Sequence, residues 1–146
     1  MNRTDVYSFM SQCRYGVLSS ISASGAPQSA LMGIAITPGL EIVFDTIKSS
    51  RKFANLTTRP ECSFVVGWGR EQTVQYEGIA VELAGEERER CLETYFAVWP
   101  ECKEHLNWQG IAHFIVRPRW VRYSDFAQAP PLIAEFRFSV EGMRGA

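Results

Sequence analysis

The sequence predicts a mainly β fold with short helices, a closed or split antiparallel barrel of six strands, and three observations point to it. About six segments read as strands from their apolar patterning and β-forming residues. Short turns marked by glycine and proline join most of them, as at Ser24-Gly25 before Pro27 and at Pro38-Gly39. Helical stretches are few and do not alternate with strands in the β-α-β manner that builds a parallel sheet.

Val6, Phe9, Met10 and Cys13 recur at helical intervals after Asn2 and Thr4, either of which can cap, so a short amphipathic helix is expected over 4–13. Tyr15 to Ile21 reads as a first strand and Gln28 to about Thr37 as a second, antiparallel to it. Leu40 to Thr46 is a third, with Ile42 and Phe44 on one face and Val43 on the other. From Ser49 to Thr58 the period changes, with Phe53 and Leu56 three apart, and Pro60 ends the helix. Cys62 to Trp68 and Thr73 to Leu83 form a further pair. In the second of these Val74, Tyr76 and Ala80 oppose Gln75, Glu77, Ile79 and Val81, and Gly78 marks a bulge or a close backbone approach. Gly85 opens a third helix, with Glu86, Glu87 and Glu89 at its start and Leu92, Tyr95, Phe96 and Trp99 on its apolar face, and Pro100 stops it. Ile111 to Tyr123, interrupted at Pro118, is the last strand. Residues 1–126 are thus expected to form one barrel domain. Residues 127–146, with Pro130-Pro131 and the alternating Ile133, Glu135, Phe136 and Phe138, form a tail without a place in the strand order, available to pack on a dimer partner.

The 146 residues suffice for one core without disulfides or metal, and 46% hydrophobic with 21% charged is the balance of a globular protein. A net charge of -1 offers no footprint for nucleic acid or an anionic membrane. No apolar run nears the roughly 20 residues of a membrane span, and Met1 to Arg14 is too polar for a signal peptide, so a cytoplasmic protein is expected. Cys13, Cys62, Cys91 and Cys102 contain no C-x-x-C pair and read as reduced, mostly buried thiols. His105 and His113 alone are too few for a metal site, so none is expected, and His113 on a strand reads as a satisfied structural histidine.

The chemistry concentrates in Phe44-Asp45-Thr46-Ile47-Lys48-Ser49-Ser50-Arg51-Lys52, a strand end passing into a helix start. With Ser49 as cap, Ser50, Arg51 and Lys52 fill the first turn, where unpaired backbone N–H groups and the positive end of the helix dipole already lie. Cations there are mildly unfavourable, by tenths of a kcal/mol each, unless an anion is bound. A phosphate suits the site, because helix-end amides, the hydroxyls of Thr46, Ser49 or Ser50, and a guanidinium all donate to its oxygens. A solvated cationic turn, with Lys48 added, is the alternative on charge placement alone.

The order of strand, Thr46, Ser50-Arg51-Lys52, Asn55-Leu56 and Pro60 resembles the pyridoxamine phosphate oxidase-like FMN-binding split-barrel family, and the Trp68 and Thr73 to Gly78 strands extend the likeness over about residues 5 to 125. The resemblance implies a six-stranded FMN-binding split barrel that dimerises, with FMN in clefts at the subunit interface. It implies that Arg51 and Lys52, beside Ser50, hold the FMN phosphate and that Asp45 and Thr46 lie along the ribityl chain or phosphate. Ala30, Leu31, Met32 and Gly33 would present backbone to the flavin ring, and Gln75, or Thr73 on that strand face, would make a polar contact to ring or ribityl chain. Where the oxidases proper carry an arginine on the second strand this chain has Ala30, and its tail lacks their Arg-x-His pattern, which argues against vitamin B6 oxidation. Small relatives include flavin reductases, deazaflavin-dependent reductases and haem-handling proteins. The implied activity is FMN-dependent hydride transfer to or from a small molecule or NAD(P)H, with a non-catalytic flavin module or a haem or deazaflavin binder as alternatives. No nucleophile, triad or acid–base pair is visible and no catalytic residue is assigned, as befits a protein whose cofactor carries the chemistry. Trp68, Trp99, Trp108 and Trp120 read as core or interface residues before flavin-stacking ones.

Overall fold

Strands whose two faces differ in polarity can bury one face only by curling around a common core, and this sheet does so. In a computed structural model describing residues 1–139, the chain runs through α1 (Arg3–Ser11), β1 (Tyr15–Ile21), β2 (Pro27–Gly33), β3 (Ala35–Ile36), β4 (Ile42–Ile47), α2 (Arg51–Thr58), β5 (Glu61–Val66) and β6 (Gln72–Glu82). It continues through α3 (Gly85–Val98), β7 (Ile111–Asp125) and β8 (Leu132–Arg137), with 3₁₀ segments at Gly69–Glu71 and Pro100–Asn107. The strands pair antiparallel in the order β2-β1-β5-β6-β7-β4-β3, and β8 adds to β7. The expected mainly β, split antiparallel architecture is the one observed.

Eight strands replace the expected six for two local reasons. The second strand's pairing with β1 runs to Gly33, with the Ile34 amide still donating to the Arg14 carbonyl (2.9 Å), and the chain then changes partner and pairs with β4 as β3. In the expected tail, Leu132–Arg137 pairs with Trp120–Asp125 of β7. Leu132, Ala134 and Phe136 of this strand pack against the barrel core. The tail beyond 139 lies outside the described residues. Asn2 is the cap of α1, completing a capping box with Asp5.

Gly78 carries the expected irregularity: the β6–β7 register shifts between Glu77 and Gly78, opposite Pro118, so Pro118 sits at a bulge and does not interrupt the strand. A Cβ on Gly78 would lie 2.6 Å from the Arg117 carbonyl oxygen. Two cores result. Leu18, Phe44, Phe64, Tyr76, Phe114 and Val121 fill the barrel, while Val43 and Ile115 on the other face of β4 and β7 pack against Tyr95, Trp99 and Cys102. Burial on both faces explains the unbroken apolar runs Ile42-Val43-Phe44 and Phe114-Ile115-Val116.

Candidate functional site

The start of α2 lies where the curled sheet fails to close, between the edge strand β2 and β4. Ser50, not Ser49, is the N-cap: its hydroxyl accepts from the Phe53 amide (3.2 Å) and shares a 2.9 Å hydrogen bond with the Thr46 hydroxyl. Thr46, buried at the end of β4, selects between two adjacent serines of equal capping ability. The change moves Arg51 and Lys52 to the first two helical positions, where their own amides have no partner within the helix. No acidic residue occupies that turn. Among the described residues neither cation makes an ion pair.

Arg51 and Lys52 line a cavity of about 120 Å³ together with Leu18, Ser20, Gln28, Ser29 and Ala30. One turn further on, Asn55 ties the helix to the sheet, its side-chain amide donating to the Ser20 hydroxyl (3.0 Å) and to the Gln28 carbonyl (2.9 Å). Asn55 is buried, as is Leu56, and Phe53 stands edge-on to Phe114 across 5.9 Å. The cations therefore sit on a helix whose inner face is fixed by packing and hydrogen bonds, and a fixed scaffold is what ion recognition needs.

Of the residues expected at the site, Arg51, Lys52, Ser50, Thr46 and Ala30 gather around this cavity or its rim. The rest disperse. Leu31 faces the outside of the sheet at 64% exposure, Met32 is in the barrel core, and Gly33 lies under the Trp99 ring, where a Cβ would meet Cζ2 at 2.9 Å. Gln75 is exposed on the outer face of β6, in register with Val65, which pairs with Val17, itself opposite Leu31. Leu31 and Gln75 thus share the sheet's outer face, remote from the cavity of the same chain. Trp99 is a core residue, its indole donating to the Ile34 carbonyl, whereas Trp68 and Trp108 are exposed.

Asp45 neighbours Thr46 on β4 and so points to the opposite face, away from the cavity. Its Oδ2 lies 2.6 Å from Nδ1 of His105, whose ring stacks on Trp108 with centroids 3.9 Å apart. Cys102 completes the group, with one donor atom from each of the three residues lying within 4.8 Å of the others. Tyr95 is buried in the same core cluster as Cys102. Behind them, His113 is fully buried. Arg88 donates to its Nδ1 (3.2 Å), which leaves the proton on Nε2, and Nε2 has no partner among the described residues. His113 is therefore structural but only half satisfied, contrary to the expectation of a satisfied one. Burial first, then the Arg88 charge, push its pKa down to about 4, so it stays neutral at physiological pH. Sequence reasoning missed the Asp45–Cys102–His105 group because a count of histidines overlooks a mixed donor set. The Cys102-x-x-His105 spacing was the available signal, once the segment is known to be a 3₁₀ helix.

With this geometry in hand, the family model described as pyridoxamine 5'-phosphate oxidase matches residues 4–125 of the chain. The chain belongs to the pyridoxamine 5'-phosphate oxidase family. Solved structures share the family fold at low identity. A heme binding protein from Mycobacterium smegmatis superposes with a TM-score of 0.79 at 14% identity, over 92% of this chain and 57% of that one. General Stress Protein 26 from Bacillus anthracis does so with 0.71 at 17%, over 94% and 100%. A pyridoxamine 5'-phosphate oxidase-related FMN binding protein from Nostoc punctiforme gives 0.68 at 11%, over 95% and 88%. This family member thus spans little more than half the length of the Mycobacterium smegmatis protein. No curated protein sequence matches it.

Proposed function

We propose that this chain binds FMN by its phosphate at the start of α2 and acts as a flavin-dependent oxidoreductase, as a cytoplasmic homodimer. One observation carries the reading: two cations without ion-pair partners among the described residues stand at a helix start, beside free amides, two hydroxyls and a cavity. The phosphate end of FMN fits that donor set, with Arg51 as a two-pronged partner, Lys52 as a point charge, and the Arg51 and Lys52 amides completing the cradle. Ser50 and Thr46 supply hydroxyls, although their mutual hydrogen bond must open for both to donate.

A cavity of about 120 Å³ is far smaller than the several hundred Å³ of a typical cofactor site, so one subunit holds only the phosphate end. A second subunit would supply the rest of the cleft. The outer-face row of Leu31, Val17 and Val65 leading to Gln75 suits such an interface, since apolar side chains stand exposed there beside a polar contact. That arrangement would bring Leu31 and Gln75 to the flavin from the neighbouring subunit. When bound, the flavin ring supplies hydride transfer to or from a small molecule or NAD(P)H, and the chain anchors, orients and encloses it.

Replacing Arg51 and Lys52 together by Ala tests the reading. Each forms charge-assisted hydrogen bonds worth about 1.5 to 3 kcal/mol, so their joint loss weakens FMN binding at least tenfold. Thermal stability of the ligand-free protein stays almost unchanged, because neither side chain supports the fold. Unaltered FMN affinity in a fluorescence titration refutes the assignment. The heme binding protein among the structural neighbours motivates a second reading, a haem protein on the same scaffold. Against it stands the complete burial of His113, which leaves His105 as the one accessible histidine among the described residues. A Soret band in the purified protein would favour haem, and bound flavin bleached by NAD(P)H would favour the oxidoreductase.

A further inference from the structure

We propose that Asp45, Cys102 and His105 form a binding site for one divalent transition-metal ion of the zinc class, on the face of β4 opposite the phosphate cavity. Three features carry this. The donors are a carboxylate, a thiol and an imidazole, the mixed oxygen, sulfur and nitrogen set that suits zinc better than magnesium or calcium. They are gathered by tertiary structure, Asp45 from β4 and the other two from the 3₁₀ segment Pro100–Asn107. That segment has about three residues per turn, so Cys102 and His105, three apart, fall on one side of it.

The surroundings hold the donors in place. Stacking on Trp108 fixes the His105 ring, and the Cys102 amide donates to the Trp99 carbonyl at the head of the turn. Cys102 is buried, while His105 and Asp45 keep side-chain exposures of 25% and 17%, so an ion can enter from their side. Three protein donors leave a fourth tetrahedral position for water or an external ligand.

Cys102 loses its S–H proton to solvent and binds as thiolate. His105 binds through its Nδ1 lone pair with its proton on Nε2, and Asp45 binds as the carboxylate. The 2.6 Å separation of Asp45 and His105 must open by roughly 0.7 Å to reach the spacing of two ligands on a tetrahedral ion with bonds near 2 Å. The site is independent of the flavin assignment, since it uses the other face of the strand.

The test is a titration of the reduced, metal-free full chain with Co²⁺, followed optically, and with Zn²⁺ in competition with a coloured chelator. Expected are one equivalent bound and, for cobalt, a thiolate charge-transfer band with the intense visible bands of a tetrahedral ion. Cys102→Ser abolishes the charge-transfer band and weakens zinc binding at least tenfold, whereas Cys13→Ser, removing the half-exposed thiol elsewhere, changes neither. If Cys102→Ser fails to fold by circular dichroism, His105→Gln, at a partly exposed position, decides in its place by the same tenfold criterion. Absence of the thiolate band at one equivalent, or wild-type zinc affinity in the deciding variant, overturns the proposal.

Discussion

Asn55→Ala separates the anchoring of α2 from the charges that α2 carries. The native amide makes two hydrogen bonds, to Ser20 and Gln28, in a buried setting, and alanine removes both while leaving the Ser20 hydroxyl without this partner. At about 1 kcal/mol net per bond the expected loss is about 2 kcal/mol. For a chain of 146 residues, with an unfolding entropy near 2.1 cal/mol/K per residue, that corresponds to a fall in Tm of about 6 °C. Urea unfolding followed by circular dichroism measures it, and the midpoint should drop without a change of slope. A double-mutant cycle with Ser20→Ala then assigns the energy, because residues in direct contact couple by 0.5 kcal/mol or more. A loss below about 0.5 kcal/mol, or additivity of the two single changes, would refute the view that this network pins the helix.

Gly78→Ala places a methyl 2.6 Å from the Arg117 carbonyl and 2.7 Å from a Val116 methyl, so the bulge must shift at a cost of about 1 to 3 kcal/mol, read as a lower unfolding midpoint. The Cys62 thiol, pushed up to about 12 from 9.0 by burial and then by the Glu61 charge, resists alkylation at pH 8 by roughly a thousandfold relative to the unfolded chain, as timed labelling with mass spectrometry would show. Since the folded form holds this proton more tightly, the associated stability is complete below pH 9 and is lost progressively as pH rises towards 12.

Features encoded locally were legible in the sequence. The faces of β4 and β6 followed from residue alternation, the bulge from Gly78, and the cationic helix start from residues contiguous in the chain. Choices settled by distant partners were not. Ile34-Ala35-Ile36 is an unbroken apolar run, so nothing local announces that the chain leaves β1 after Ile34 and pairs with β4 instead. Ser49 and Ser50 are equivalent caps until Thr46 contributes its hydroxyl. Asp45 meets His105 across 60 positions of sequence, through a 3₁₀ segment whose threefold period falls outside the helix and strand templates. The outward face of Gln75 was knowable from alternation.

The 15 residues of β7 contact β4 along Ile111–Val116, β6 along Phe114–Asp125 and β8 along Trp120–Asp125. On the ribosome, β1, β2, β5 and β6 can zip together as they emerge, but β4 then has only the two residues of β3 to pair with. Its hydrogen-bonding edge must wait until Ile111–Val116 leave the exit tunnel. A nascent chain stalled before residue 111 therefore displays the strand that leads into the Arg51-Lys52 helix with its main chain unsealed, and is the form of this protein most exposed to chaperones and to self-association.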